Sequence, residues 1–263
     1  MVYLRGISRN RNDVTGRYPY HMSLINGLKN LEFKSPVTFF IGENGSGKTT
    51  LLETIVALSQ TVHLIPPESN PMIGPKKLSK SFNLKWTQKT FRGYYLKSQS
   101  FIYYIKNLEE KQSELQRELD SLKEAYAHRS SYAYSLAAGP YLNALHGFKS
   151  AYEGPLLEMS HGEAYLELFK SRLVPEGLYI LDEPELSLSP LKQLSLMALI
   201  KDMVRKDCQF IIITHSPILM ALEESVLYNF GEDHIEEVLY DNVAHVQLTK
   251  NFLNNPGSYL KHL

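Results

Sequence analysis

The apolar positions along the chain fall into short continuous runs and into segments with helical spacing. Val37 to Ile41 is such a run; it ends in a glycine-rich turn, and Thr49 to Ser59 then carries apolar residues three and four positions apart. Leu178 to Leu181 and Phe210 to Ile213 are two more runs, and Leu191 to Val204 between them has the period of a helix. Continuous apolar runs that alternate with helices are typical of a buried parallel sheet, so the sequence predicts an α/β fold.

The outer and middle segments predict other elements. Met1 to Phe33 is broken by glycine and proline and predicts short antiparallel strands, while Ile235 to Tyr240 and Ala244 to Leu248 predict closing edge strands. Between Leu108 and Tyr126, leucines at heptad-like spacing predict an amphipathic helix of about 20 to 25 residues. This helix either packs within its own lobe, which we favour, or binds a partner as a zipper.

Charge and composition exclude some classes of protein. The 28 basic residues balance the 28 acidic ones, so the whole molecule has no net field that attracts nucleic acid or an anionic membrane. The single cysteine, Cys208, excludes an internal disulfide and fits a reducing compartment. Every apolar run is much shorter than the roughly 20 residues of a membrane helix. We therefore expect a cytoplasmic protein without membrane insertion.

The glycine-rich turn after the first apolar run matches the P-loop pattern G-x-x-x-x-G-K-[ST] in full. Glycines let backbone N–H groups approach phosphates closely, and the following helix turns its positive N-terminal end toward the same anion. We expect Lys48 to reach the β- and γ-phosphates of ATP and the Thr49 hydroxyl to bind Mg²⁺. The predicted nucleotide-binding residues of this loop are Gly42, Glu43, Asn44, Gly45, Ser46, Gly47, Lys48, Thr49 and Thr50.

Two further strand ends carry side chains suited to ATP hydrolysis. Asp182 and Glu183 follow the run that ends at Leu181. We expect Asp182 to support Mg²⁺ and Glu183 to orient and deprotonate the attacking water. His215 ends the next predicted strand, where an imidazole can hydrogen-bond the γ-phosphate. A lone histidine is usually structural, and the order of the three motifs favours the catalytic interpretation.

The order and spacing of four motifs resemble those of the ABC-type ATPases. These motifs are Gly42 to Thr49, Ser160 to Glu163, Leu181 to Pro184 and Thr214 to Ser216. More narrowly, the chain is similar to a family of small stand-alone prokaryotic ATPases, classed with AAA proteins but ABC-like and related to the SMC and RecF-type DNA-maintenance ATPases. The segments that carry this resemblance are Gly93 to Leu96, Ser160 to Glu163, Asp182 to Pro190, His215 to Pro217 and the tail Asn251 to Leu263. The resemblance covers nearly the whole chain apart from about Lys106 to Ser150.

This resemblance implies that Ser160, Gly162 and Glu163 belong to the signature motif, which in the family binds the γ-phosphate of ATP held by the opposite subunit. From the residues alone, Ser160 and Glu163 form a capping box at the start of a helix. The two interpretations are compatible, because a capped helix N-terminus is itself an anion site. His161 and Glu163 depart from the glycine and glutamine usual in transporters.

The resemblance also assigns residues outside these motifs. Gln99 is the candidate for the glutamine that senses Mg²⁺ and water in the family. Ser187 to Pro190 stands where transporters usually carry an aspartate, which implies a different communication across a dimer. The candidates for adenine contacts, taken from position only, are Arg5, Tyr18 and Tyr20.

One segment combines basic and aromatic residues. Residues 69 to 108 contain no acidic residue and eight basic ones. Either the rings stack on bases while the cations neutralise phosphates, or the rings belong to a core beneath a solvated face, which we favour. The basic residues are Lys76, Lys77, Lys80, Lys85, Lys89, Arg92, Lys97 and Lys106, and the aromatic ones are Phe82, Trp86, Phe91, Tyr94 and Tyr95.

We therefore expect one ABC-type ATPase domain over residues 1–263, with a nucleotide-binding core at 1–68 and 158–263 and an inserted helical lobe at 69–157. The expected activity is Mg-ATP binding and hydrolysis by a head-to-tail homodimer. It would act as an ATP-gated switch in prokaryotic DNA maintenance or defence, with a protein effector or nucleic acid as candidate partner. The fold does not decide the biological use, so two alternatives stay open: the energy subunit of a membrane transporter and a slowly hydrolysing scaffold.

Overall fold

The computed structural model describes residues 1–10, 22–61, 63–64, 78–150 and 159–261. It divides the chain into two compact units, one formed by Met1–Ser98 with Leu173–Leu263 and the other by Gln99–Arg172. These limits differ from the expected lobe at 69–157, because two strands within residues 82–97 belong to the sheets of the first unit.

The strands of the described residues all lie in the first unit. In chain order they are β1 (Leu4–Arg9), β2 (Asn30–Glu32), β3 (Val37–Gly42), β4 (Phe82–Trp86), β5 (Tyr95–Lys97), β6 (Leu178–Asp182), β7 (Gln209–Ile213), β8 (Ser225–Phe230) and β9 (Ile235–Val238).

They form two sheets. A three-stranded antiparallel sheet has the order β2-β1-β4, which confirms antiparallel strands within Met1 to Phe33, although that segment also contains the helix Ser23–Gly27, which was not expected. The second sheet has six strands in the order β5-β6-β7-β3-β8-β9, and all pairs are parallel except β8 with β9. Every residue of β6 and β7 is buried, as the continuous apolar runs predict.

The helices occur in both units. In chain order they are α1 (Ser23–Gly27), α2 (Lys48–Ser59), α3 (Ser98–Ala125), α4 (Ser131–Ser150), α5 (His161–Ser171), α6 (Pro190–Arg205), α7 (Pro217–Met220), α8 (Ala244–Asn254) and α9 (Pro256–Leu260), with 3₁₀ turns at Pro184–Ser187 and Tyr240–Asn242. No helix among the described ranges has both the length and the apolar character to cross a bilayer.

The expectation for the last segments was only partly right. A strand is present at Ile235–Val238, but Ala244 to Leu248 begins α8 instead of forming a strand. Five residues with apolar and polar positions in alternation are too few to separate a period of two from a helical period. The helix continues to Asn254 and buries Val246.

The core of the first unit places the P-loop in the middle of the large sheet. Side chains of β3 and β7, such as Phe40 and Ile213, pack with Leu52 and Ile55 of α2 in one buried cluster. Because β6, β7 and β3 are adjacent and parallel, their carboxyl ends meet at one edge of the sheet. The residues that follow these three strands therefore lie close together, as is common for ligand sites in open α/β sheets.

The second unit is helical. The predicted amphipathic helix is present as α3, which at 28 residues is longer than expected. Within this unit, Phe101 packs against Tyr165 of α5 with ring centroids 5.1 Å apart and planes at 85°. Both rings are fully buried and Leu119 is also buried, so the unit has an apolar core of its own.

The structure places three of the five rings of the basic and aromatic segment in a core, while Phe91 is 75% exposed. Phe82, Tyr94 and Tyr95 are at most 4% exposed, so their faces are not open to stacking bases. Arg92 forms an ion pair with Glu176 at 2.6 Å. Lys76 and Lys77 lie outside the described residues.

Candidate functional site

The P-loop backbone has a shape that requires glycine. Gly42 has a φ of +129° and Gly47 a φ of +98°, both in the region that side chains avoid. A Cβ on Gly42 would lie 2.5 Å from the carbonyl oxygen of Phe230 on β8. The glycines of the motif therefore allow the close packing of β3 on β8 and the turn into α2.

The Lys48 ammonium lies within the loop. Its Nζ donates hydrogen bonds to the carbonyl oxygens of Gly42 at 2.8 Å and Glu43 at 2.7 Å. Lys48 is 5% exposed, and burial lowers the pKa of its ammonium, although nearby carboxylates such as Glu183 oppose this shift. The cation is thus held by neutral acceptors, which an anionic phosphate can replace as the stronger partner.

Two cavities flank the P-loop. The smaller one has a volume of about 360 Å³, and its lining brings together Lys48, Thr49 and Glu183 with Met22, Asn44, Gly45, Gly47 and Thr50. A larger cavity of about 1120 Å³ is bounded by Gly42 to Ser46, by His215, and by His245 and Leu248 of α8. The P-loop and the predicted base therefore share one cavity.

Asp182 is a buried carboxylate at the end of β6. It is 3% exposed, and its Oδ2 accepts a hydrogen bond from the Tyr95 hydroxyl at 3.2 Å. Its Oδ1 is buried and has no hydrogen-bond partner among the described residues. Burial raises the pKa of Asp182 to about 6, against the opposing effect of Lys97. A carboxylate oxygen without a donor fits a hard cation such as Mg²⁺, and Thr49 offers a hydroxyl in the adjacent cavity.

Glu183 and His215 face each other across two neighbouring strand ends. Glu183 Oε1 lies 3.7 Å from His215 Nε2, and the two side chains are 25% and 38% exposed. Glu183 has a φ of +52°, a left-handed conformation that is uncommon for residues other than glycine. Burial and the positive charge of Lys48 lower the pKa of His215, which favours the neutral imidazole.

The sequence reasoning missed three charged residues of this site. Glu185 accepts a hydrogen bond from the backbone N–H of His215. Lys97 lies 3.4 Å from Glu53 on α2 and 3.7 Å from Asp182. The run Tyr94 to Leu96 was a signal for the strand that carries Lys97, but its pairing with β6 is not visible in the sequence.

The remaining predicted phosphate-site residues belong to the second unit. Ser160 is the N-cap of α5, and its capping box with Glu163 is formed, with Ser160 N–H to Glu163 Oε2 at 3.0 Å. The capping interpretation is thereby confirmed, and the binding of a second chain's nucleotide by Ser160, Gly162 and Glu163 stays a prediction. Gln99 is exposed in the first turn of α3, and its role as a Mg²⁺ sensor also stays a prediction.

The candidates for adenine contacts are placed as follows. Tyr18 and Tyr20 lie outside the described residues. Arg5 is an exposed residue of β1 and does not line either cavity beside the P-loop. Met22, which was not predicted, lines both cavities, and its methyl group lies 3.0 Å from the position of a Cβ on Gly47.

Comparison with known protein families decides the relationship of the chain. A family model described as "AAA domain, putative AbiEii toxin, Type IV TA system" matches residues 69–221, more than half of the 263 residues. The chain belongs to this AAA-domain family. A second model, described as "AAA domain", matches residues 21–61 of this AAA domain, which include the P-loop.

One solved structure is similar enough to show the fold. cbiO1 from Clostridium perfringens, part of the ABC transporter complex cbiONQ, is 16% identical over 100% of both chains with a TM-score of 0.51, which shows an ABC-ATPase-like fold. The Smc head domain from Pyrococcus furiosus, bound to the C-terminal domain of ScpA, is 12% identical over 97% of this chain and 99% of that chain, with a TM-score of 0.48. No curated protein matches this AAA domain.

Proposed function

We propose that this AAA domain binds Mg-ATP at the P-loop and hydrolyses it with Glu183 as the general base. The observation that carries the proposal is the shared cavity: Lys48, Thr49 and Glu183 line the same space beside the P-loop glycines. Lys48 and Thr49 would serve the binding of phosphate and Mg²⁺, and Glu183 would activate the water. The loss of any one of these three side chains should therefore impair ATP binding or hydrolysis.

Each residue has a defined task in the reaction. Glu183 accepts a proton from the attacking water, whose oxygen forms a bond to the γ-phosphorus as the bond to the bridging oxygen of ADP breaks. Lys48 stabilises the negative charge on the phosphate oxygens, and neutral His215 donates a hydrogen bond to the γ-phosphate. Thr49 and Asp182 would hold Mg²⁺, which neutralises phosphate charge when bound.

We extend the proposal to a head-to-tail homodimer. A second chain would offer Ser160 and Gly162 at the N-terminus of α5 to the γ-phosphate, and the capping box keeps this helix end ordered. ATP would then join the two chains, and hydrolysis would release them. The family description names a toxin of a toxin–antitoxin system, which supports an ATP-gated switch in a prokaryotic defence system with a protein effector as partner.

The substitution Glu183→Gln tests the base. We expect ATP affinity within about threefold of wild type, because the phosphate ligands stay in place, and a loss of turnover of at least about 100-fold. Titration with a fluorescent ATP analogue and phosphate release measure the two effects. Rapid phosphate release by this variant would exclude Glu183 as the base.

Glu224→Gln is a matched control. Glu224 is an exposed glutamate with a φ of +60°, close to the +52° of Glu183, so the change has the same chemistry and a similar backbone context away from the cavity. We expect its turnover to equal that of wild type.

The head-to-tail dimer is tested with the Glu183→Gln variant. Light scattering of this variant with and without ATP should show a dimer only when ATP is present.

A further inference from the structure

A lysine lies between two carboxylates beside the proposed metal site. Lys97 ends β5, and its Nζ is 3.4 Å from Glu53 Oε1 and 3.7 Å from Asp182 Oδ2. The side chains of Glu53, Lys97 and Asp182 are 19%, 29% and 3% exposed, so the group is shielded from much of the solvent. None of the tasks proposed above for ATP hydrolysis uses Lys97.

The parallel register explains this position. β5 pairs with β6 so that Lys97 lies opposite Asp182. Tyr95 is two residues earlier on the same face of the strand, and its hydroxyl donates to the same Oδ2 atom. Two side chains of β5 thus approach one oxygen of Asp182, while Oδ1 has no hydrogen-bond partner among the described residues. A metal ion at Oδ1 would have no hydrogen-bond donor to displace, and the Lys97 ammonium sets the charge around this carboxylate.

We propose that Lys97 is a built-in counter-cation that keeps the metal affinity of the nucleotide-free site low, so that Mg²⁺ is held only together with ATP. The inference rests on the proposed function, because it takes Asp182 as the carboxylate that supports Mg²⁺. A lysine ammonium and a divalent cation that share one carboxylate repel each other. Near a protein surface, a repulsion over a few ångströms is enough to change an affinity by about tenfold or more.

The phosphates of ATP remove this obstacle in the proposed cycle. They bring several negative charges to the P-loop cavity, which Glu183, the residue after Asp182, lines, and thus offset the repulsion between the two cations. The flexible four-carbon stem of Lys97 lets its ammonium move away from Asp182 while it stays near Glu53. The distance of 3.7 Å to Asp182 is longer than a hydrogen bond, so this movement breaks an electrostatic contact only.

Binding of Mn²⁺ to the full chain without nucleotide tests the proposal. Mn²⁺ takes the same oxygen ligands as Mg²⁺, and its free ion is measured by electron paramagnetic resonance. We expect Lys97→Met to bind Mn²⁺ at least about tenfold more tightly than wild type. Lys97→Arg keeps the positive charge and should stay within about threefold of wild type. In an Asp182→Asn background, Lys97→Met should no longer increase the affinity.

Lys34→Met is the control for the loss of one lysine charge. Lys34 forms an ion pair with Glu237 at 2.7 Å and precedes β3 at the end opposite the P-loop, so its removal should not change Mn²⁺ binding. Equal Mn²⁺ affinities of folded Lys97→Met and wild type would overturn the proposal, since a purely structural ion pair predicts that result. If Lys97→Met does not fold, Lys97→Gln, which can still donate to Glu53, is measured instead against the same expectation.

Different measurements can refute the counter-cation role of Lys97 and the proposed ATPase function. A wild-type chain that binds no ATP would refute the proposed function, whereas the Mn²⁺ titrations need no nucleotide and still report on Lys97. Normal ATP binding and turnover, together with unchanged Mn²⁺ affinity in Lys97→Met, would refute only the counter-cation.

Discussion

The Glu185 carboxylate accepts a hydrogen bond from the backbone N–H of His215, a residue 30 positions later in the chain. This contact ties the turn that follows Glu183 to the loop that carries the imidazole. Glu185 Oε2 is buried without a partner among the described residues, and burial raises the pKa of the Glu185 carboxyl. Glu185 therefore acts as a positioning residue for His215 and has no direct contact with the reacting atoms in our proposal.

Two substitutions of Glu185 distinguish the effect of its hydrogen-bond acceptor from the effect of its negative charge. In Glu185→Ala the His215 N–H loses its acceptor, which should lower the free energy of unfolding by about 1–3 kcal/mol and reduce turnover more than ATP affinity. Glu185→Gln keeps an oxygen that can accept the same hydrogen bond, and it should stay near wild type in both respects. Urea unfolding and steady-state kinetics measure these effects. If the two variants lose equal turnover, the charge and not the acceptor positions His215.

Alanine at two P-loop glycines should have unequal effects. In Gly42→Ala the new Cβ would meet the Phe230 carbonyl oxygen at 2.5 Å, so β3 and β8 must separate or the loop must shift. In Gly45→Ala, also at a positive φ of +84°, no atom lies within 4 Å of the new Cβ. We expect a cost of about 1 kcal/mol for Gly45→Ala from the backbone strain alone and a clearly larger one for Gly42→Ala. Thermal and urea unfolding measure the free energy of unfolding of both variants. Equal losses of stability would show that the contact with Phe230 does not matter.

His215 should make the folded protein less stable in acid. Its folded pKa is lowered, first by burial and then by the charge of Lys48, so the unfolded chain takes up this proton more readily as the pH falls. The free energy of unfolding therefore decreases as the pH falls through about 6.5, the usual histidine value. His215→Asn should lose less stability than wild type between pH 7.5 and 5.5. Parallel unfolding curves at several pH values check this, and equal pH dependence of the two proteins contradicts it.

Two substitutions of Ser160 separate a helix cap from a phosphate ligand. Ser160→Ala removes the cap and should cost about 1 kcal/mol of stability. Ser160→Asp keeps an oxygen that can cap the helix but loses the hydrogen bond that Ser160 Oγ donates to Glu163 Oε2 at 2.6 Å, so its stability should fall about as much as that of Ser160→Ala, while its negative charge would in addition repel a γ-phosphate. We expect Ser160→Asp, combined with Glu183→Gln, to abolish the ATP-dependent dimer in light scattering. A dimer of normal stability in this double variant would limit Ser160 to its capping role.

Three of the six strands of the large sheet were predictable because they are continuous apolar runs. Val37 to Ile41, Leu178 to Leu181 and Phe210 to Ile213 each appear as buried strands, with limits within one residue of the expected ones. The P-loop followed from its complete motif. These features depend on residues that are close together in the sequence, so they can be recognised from one sequence alone.

The site around Asp182 was not predictable in full, since it depends on pairing between distant segments. The contact of Lys97 with Asp182 exists only because β5 lies beside β6 in a particular register. The sequence instead drew attention to Gln99, two positions away, through resemblance to other ATPases. The capping box of Ser160 and Glu163 was visible because both partners lie within one helical turn.

The place of β3 between β7 and β8 has a consequence for biosynthesis. Both neighbours follow β3 by more than 160 residues, so the P-loop strand leaves the ribosome long before anything can pair with it. The backbone groups of β3 therefore stay without their strand partners until β7 and β8 have been translated. A truncated chain that stops before β8 would carry the complete Gly42 to Thr49 motif without the strand that pairs with Gly42.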